Sequence, residues 1–242
     1  ATLSVDVGGS HIKASVLDAD ATMTAEPVRV ATPYPLTPQG LVDALAGLAR
    51  QLPPFDQVSV GFPGMVRKGH VLSAPHFVTA GGPGSEERPD LVRAWHQVDL
   101  ASALAEELGR PTKVDNDADQ QGAAVVLGDG LELVVTLGTG MGTAFFQDGA
   151  LLPHLELAHH PFRKGQTYDE QLGDLTRRVV GNAKHLTIDL GPEATIVDNT
   201  SGILGGARLW QGAGHRHPQS PSSPGSPAGT PAGSQPPSRV LT

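Results

Sequence analysis

The chain has 242 residues, 38% of them hydrophobic, with 30 glycines, 21 prolines, no cysteine and a formal charge of −8. That length fits one large or two small α/β domains, the lack of cysteine excludes disulfides and thiolate metal sites, and the negative charge disfavours a broad nucleic-acid surface. No apolar run approaches the roughly 18 residues of a membrane span, and Ala1 to Asp6 reads as a strand, not a signal peptide. The expectation is a cytoplasmic protein with no membrane or nucleic-acid partner.

Leu3 to Val7 is an apolar run that stops at Gly8-Gly9, and Ile12 to Leu17 resumes it, predicting a hairpin around a glycine turn. Glycines there let backbone N–H groups turn inward as an anion nest, to which Ser10 adds a hydroxyl and Lys13 a positive charge. The plain alternative is a tight hairpin whose Asp6 and Lys13 face water. Val28 to Ala31 is a third strand candidate. Leu41, Leu45, Leu48 and Leu52 recur at spacings of three and four, the stripe of a helix over Gly40 to Leu52. Val58-Ser59-Val60 reads as a buried strand ending at the turn Gly61-Phe62-Pro63-Gly64.

Leu100 to Leu108 is a helical stretch, and Thr112-Lys113-Val114 leads as a strand into Asn116-Asp117, with a helix over Ala118 to Leu127. A carboxylate at such a step can take the proton of an attacking hydroxyl. Asp115, Asp117 and Asp119 are neighbours that the sequence alone does not rank, and an N-cap is the competing use of Asn or Asp there. Glu132 to Thr136 and Gly142 to Gln147 form a second hairpin around Leu137-Gly138-Thr139-Gly140-Met141-Gly142-Thr143. Glu156 and His159, three apart, are expected on one side of a helical turn, where an acceptor beside a donor can grip paired sugar hydroxyls. A solvated pair is the alternative, and His160 rivals His159. From Gln211 the last 32 residues hold seven prolines among Ser, Gly and Ala, predicting disorder; a linker-like tail and an out-of-frame translation both fit.

The strand–glycine–strand unit occurs near residue 10 and again near residue 140, suggesting a duplicated architecture with a ligand cleft between the halves. In their order, Asp6 to Lys13, Gly61 to Gly64, Asn116 to Asp119 and Leu137 to Thr143 resemble the ROK family of sugar kinases within the actin-like ATPase superfamily, above all its polyphosphate/ATP glucokinase branch. The resemblance runs to about Gly173 and returns from Leu186, through a strand at Thr195 to Asn199 and a closing helix at Gly202 to Trp210. It implies an α/β, actin-like (ribonuclease H-like) duplicated fold, with an N-terminal domain over 1–112, a C-terminal domain over 113–210 and a tail over 211–242.

The resemblance implies a glucokinase that moves a phosphoryl group from polyphosphate or ATP to the 6-hydroxyl of glucose, with Mg²⁺. Asp117 would be the base. Asp6, Gly8, Gly9, Ser10 and Lys13, with Gly138, Thr139, Gly140 and Gly142, would hold the phosphates, and Asp6 would help hold Mg²⁺. Gly61, Pro63, Gly64, Asn116, Asp117, Glu156 and His159 would hold the sugar, and Arg163-Lys164 the anionic donor unless they form a solvated loop. Relatives are commonly homodimers. Ser10 stands where the family has Thr, and Ala158 where it has Gly. Only Gly181-Asn182 remains of a segment that the family precedes with a long helix, a connecting helix and a strand, so an internal deletion leaving the second domain incomplete is expected. A catalytically inactive sugar-binding remnant is the rival reading. Chaperone-like or filament-forming relatives have no need of the Glu156–His159 grip, and a repressor would need a DNA-binding helix pair ahead of Leu3.

Overall fold

The computed structural model describes residues 1–137, 140–173 and 201–211. Gly138, Thr139, Gly181-Asn182, the strand expected at Thr195 to Asn199 and the tail from residue 212 lie outside the described residues.

Five strands form the main sheet: β1 (Thr2–Val7), β2 (His11–Leu17), β3 (Val28–Ala31), β4 (Gln57–Phe62) and β8 (Thr112–Asn116), in the order β3-β2-β1-β4-β8. β1 runs antiparallel to β2 and parallel to β4, and β4 parallel to β8. The expected strands are therefore present, and β4 continues through Gly61 and Phe62 before the chain turns. A row of residues ends the three parallel strands side by side, with Asp6 opposite Gly61 and Gly61 opposite Asp115. Ligands favour this carboxyl edge of parallel strands.

Helix α1 (Pro38–Ala49) begins at Thr37, whose side chain accepts from the Gly40 N–H, and buries Leu41, Leu45 and Leu48 on the sheet. It ends before Leu52 of the expected stripe. A helix the sequence pattern did not mark, α2 (Pro89–Trp95), supplies Trp95, whose ring lies 5.4 Å from Phe62 and 5.6 Å from Phe77. Its indole N–H donates to Leu36 O at 2.9 Å. α3 (Leu100–Leu108) is capped by Asp99 and stopped by Gly109 at φ 61°, a conformation glycine adopts without strain. The short strands β5 (Val66–Arg67), β6 (His70–Val71) and β7 (Val98–Asp99) make a small satellite sheet.

A second sheet contains β9 (Leu131–Leu137), β10 (Met141–Gln147) and β11 (Ala150–Leu151) in the order β11-β10-β9. On β9 the alternate residues Leu131, Leu133, Val135 and Leu137 are exposed. A hairpin of β12 (Pro161–Arg163) and β13 (Gln166–Thr167) follows, then α5 (Tyr168–Leu172), which opens with a capping box between Thr167 and Glu170.

Two helices connect the sheets, α4 (Asp117–Val125) and α6 (Ser201–Gln211). They pack closely because α6 presents glycine. A Cβ on Gly205 would run into the carbonyl of Gln120, and one on Gly206 into Ser4 Oγ. On the other side of α4, Gly122 admits Phe146 of β10, whose ring a Cβ would meet at 2.6 Å. Gln120, 1% exposed, closes the junction. Its Nε2 donates to Val5 O at 2.9 Å and to Gly202 O at 2.6 Å, and its Oε1 accepts from Ser59 Oγ at 3.1 Å. One side chain thereby joins α4, β1, β4 and α6.

Gln120→Leu should remove a buried donor from each of those two carbonyls and leave the Ser59 hydroxyl without its acceptor. The expected loss is about 2–4 kcal/mol of unfolding free energy, read from the urea midpoint. Gly205→Ala should also destabilise, and an unchanged midpoint in both variants would refute the junction's importance.

Candidate active site

The site is built on the carboxyl ends of β1, β4 and β8, where α4 begins. Asn116 is the N-cap of α4, its Oδ1 accepting from the Ala118 N–H at 2.8 Å. Its Nδ2 donates to Gly64 O at 3.0 Å, so the same buried amide ties the Gly61–Gly64 segment to the helix. Asn116 therefore already has two structural partners. Gly61 is needed for proximity rather than for its backbone angles: a Cβ there would lie 3.3 Å from both Asp117 Cα and the Gln120 side chain. Gly64 makes room for the backbone carbonyl of Ser73.

Asp117 occupies the first position of α4. A helix N-terminus favours a carboxylate, and the Ala118 N–H donates to Asp117 Oδ1 at 3.0 Å. Burial acts the other way and is the larger effect. With the negative charges of Asp6 and Asp119 adding to it, Asp117 is pushed up from 3.8 to about 7. Burial also raises Asp6, against the lowering effect of Lys13, whose Nζ is 3.7 Å from Asp6 Oδ2. Asp115 is raised by burial and by Asp119, with Lys113 opposing.

The three aspartates that the sequence left unranked now differ. Asp115 lies on β8 beside Lys113, and Asp119 is committed to His154, with Nδ1 to Oδ1 at 3.1 Å. Asp117 has no cation among the causes of its shift and carries the value suited to a base.

In the first glycine turn the Gly8 N–H donates to His11 O at 2.9 Å, so this donor is spent inside the hairpin. The carbonyls of Gly8 and Gly9 accept from Thr32 Oγ1 at 2.7 Å and Tyr34 Oη at 2.8 Å. Fewer donors are thus free in this turn than the sequence suggested, and Ser10 is exposed. Gly9 is required because Pro83 and His76 press on it, a Cβ meeting Pro83 Cγ at 2.9 Å.

Of the second turn, Gly140 and Gly142 are described. Gly142 packs on Ala118, which brings this turn against the head of α4. At its mouth Asp169 of α5 accepts from the Met141 N–H at 2.7 Å, and a Cβ on Gly140 would strike that carboxylate. Gly138 and Thr139 lie outside the described residues.

Glu156 and His159 are not on a helical turn. Both fall between β11 and β12, in a loop where a turn covers Ala158 and His159, because short backbone bonds (Leu157 N–H to Leu155 O, His160 N–H to Leu157 O) replace a helical ladder. His159 and His160 are exposed and Glu156 is half-buried. Glu156 is lowered chiefly by His154, whose Nε2 lies 3.6 Å from its Oε2. Arg163 and Lys164 are exposed; Arg163 donates to Gln171 Oε1 at 3.2 Å and sits over the Phe162 ring, as a solvated hairpin would.

No residue pattern marks His154, Gln120 or Asp169. His154 stands two residues before one partner, Glu156, a spacing of no helical period, and its other partner, Asp119, is 35 residues away. Among the described residues no group of three or more His, Asp or Glu is placed to hold a metal. Mg²⁺ needs none, since one or two carboxylates plus substrate phosphates suffice. Asp6, raised by burial and only loosely paired with Lys13, fits that requirement. No helix among the described residues is long and apolar enough to cross a membrane.

Comparison with known proteins points the same way. The ROK family model matches residues 2–154. The chain is 28% identical over 163 residues to the polyphosphate glucokinase of Mycobacterium tuberculosis, covering 64% of this chain and 56% of that protein. It is 31% identical over 156 residues to the N-acetylmannosamine kinase of Shigella boydii, covering 62% and 49%. The chain thus spans about half the length of these curated relatives. Among solved structures, an inorganic polyphosphate/ATP-glucomannokinase from Arthrobacter sp. superposes with a TM-score of 0.68 at 27% identity, covering 87% of this chain and 98% of that one. A ROK family glucokinase from Streptomyces griseus shares the fold, with a TM-score of 0.56 at 23% identity, covering 71% and 57%.

The raised Asp117 has a consequence for stability. With a folded value of about 7 against 3.8 unfolded, the folded state holds a proton that the unfolded state has lost between those limits. That stabilisation is full below the lower value and disappears as pH rises through the upper one. In metal-free buffer the Tm of Asp117→Asn, relative to wild type, should therefore rise by roughly 5 °C between about pH 5 and pH 8. A Tm difference independent of pH would show that Asp117 is not raised.

Proposed function

This chain belongs to the ROK family, and we propose that it is a sugar kinase transferring the terminal phosphoryl group of polyphosphate or ATP to the 6-hydroxyl of glucose. The observation that carries the reading is Asp117, held near pH 7 at the head of α4, where the ends of β1 and β4 and the second glycine turn converge. Polyphosphate and glucose as substrates take their support from the relatives' activities.

In this reading the 6-hydroxyl oxygen attacks the terminal phosphorus. The bond from that phosphorus to its bridging oxygen breaks, and the hydroxyl proton passes to the Asp117 carboxylate. Asp117 is about half ionised near neutrality, which suits a group that must accept a proton there. Lys13 and the unspent donors of the Gly8–Ser10 turn, with Gly138 to Gly142, hold phosphate. Asn116 fixes the Gly61–Gly64 segment, including Pro63, against the sugar, and Glu156 and His159 bind sugar hydroxyls. Asp6 would hold Mg²⁺, which when bound offsets the charge gathering on the phosphates. A cytoplasmic location and a homodimer go with this proposal.

One observation favours a sugar-binding remnant without activity: the exposed apolar row Leu131, Leu133, Val135 and Leu137 on β9 is what a sheet lacking its helix cover would leave. A single experiment separates the two readings. Formation of glucose 6-phosphate is followed with Mg²⁺ and either polyphosphate or ATP, for wild type and Asp117→Asn. The kinase reading expects product from wild type and a fall in kcat of about 10²- to 10⁴-fold in the variant. Soluble, cooperatively folding wild-type protein that binds glucose without forming product would establish the remnant.

A further inference from the structure

Among the described residues, His154 is the buried histidine whose two nitrogens both face carboxylates. Its side chain is 7% exposed and that of Asp119 is 5% exposed, with Nδ1 to Oδ1 at 3.1 Å. On the opposite edge of the ring, Nε2 lies 3.6 Å from Glu156 Oε2, an ion-pair distance longer than a hydrogen bond. Nε2 has no hydrogen-bond partner, although it is buried. A buried polar atom left in this state is costly, and the nearest means of satisfying it is for Glu156 to close by a few tenths of an ångström.

The connectivity gives this arrangement its meaning. Asp119 is on α4, two residues beyond Asp117, and is itself fixed by the helix. Glu156 lies in the loop between β11 and β12, with no regular secondary structure to hold it. Its other oxygen accepts only a long bond, 3.3 Å, from the Ala158 N–H. We propose that His154 is a positioning residue for sugar recognition: it transmits the fixed position of α4, through Asp119, to the Glu156 carboxylate, and so sets the distance between the sugar-gripping acid and the base. This deepens the kinase reading and rests on it.

Charge agrees with the geometry. The charged groups facing the ring are Asp119 from α4 and Glu156 from its own loop. Burial opposes an imidazolium, but the hydrogen bonds and charges of these two acids outweigh it and push His154 up to about 9. With both nitrogens protonated, Nδ1 donates to Asp119 and Nε2 presents its proton to Glu156, the two ends of a bridge that closes when Glu156 moves in. An uncharged ring could serve only one of them.

The test compares wild type, His154→Ala, His154→Gln, Glu156→Gln and the double variant His154→Ala/Glu156→Gln. If His154 acts through Glu156, His154→Ala should raise KM for glucose by about tenfold or more, with KM for the phosphoryl donor changed less than about twofold. His154→Gln, which can still donate one bond, should recover part of the loss. The double variant should be little worse than Glu156→Gln alone, since coupled residues are not additive. Equal loss on both substrates, or fully additive effects, would overturn the proposal, because a merely structural histidine would lower the amount of active protein without selecting the sugar. If wild type forms no sugar phosphate, the kinase reading fails, and the ring-nitrogen NMR shifts of His154 decide the positioning claim separately. Two protonated nitrogens near pH 7.5, with one lost in Glu156→Gln, would support the bridge. A neutral ring in wild type, or a ring unaffected by Glu156→Gln, would overturn it.

Discussion

Everything at the cleft hangs from the close contact of α4, α6 and the main sheet, and that contact depends on Gln120 being fully satisfied where water cannot reach it. Its amide supplies two donors to Val5 O and Gly202 O and accepts from Ser59. An apolar residue of similar size would fill the space but strand the Ser59 hydroxyl and take a donor from two carbonyls, and a buried stranded group costs more than a hydrogen bond gains. Gly205 and Gly206 make the approach possible by removing the Cβ atoms that would meet Gln120 O and Ser4 Oγ. Because Gln120 sits one turn after Asp117, the contact that holds the fold together also sets where the proposed base points.

A second constraint is electrostatic. Asp6, Asp115, Asp117 and Asp119 converge at the strand ends, and burial raises all four. The cations nearby are allotted: Lys13 to Asp6, Lys113 near Asp115, and His154 between Asp119 and Glu156. Asp117 is the member without one, so it keeps its proton to about neutral pH. The distinction among these acids lies in their partners, since their residue type is the same.

Much of this was readable in advance. The glycine turns, the strand entering Asn116 and the leucine stripe of α1 each follow from local spacing, and local spacing is what a linear sequence displays. The α2 helix escaped because its seven residues are too few to show a period, and Glu156–His159 read as helical because a spacing of three also occurs in a loop. His154 escaped for a different reason. Its partner on α4 is distant in the chain, and a lone histidine between a proline and a leucine carries no pattern.

The sequence by itself determined the order of motifs, the places of the main strands along the chain and the family to which the chain belongs, since each is written in residues near one another. Tertiary structure alone decided which of three neighbouring aspartates is uncompensated, that a buried histidine joins two acids, and that the first glycine turn spends one of its donors on its own hairpin. Those properties arise from desolvation and from distances between segments far apart in the chain. Both exist only once α4 has been pressed against the two sheets.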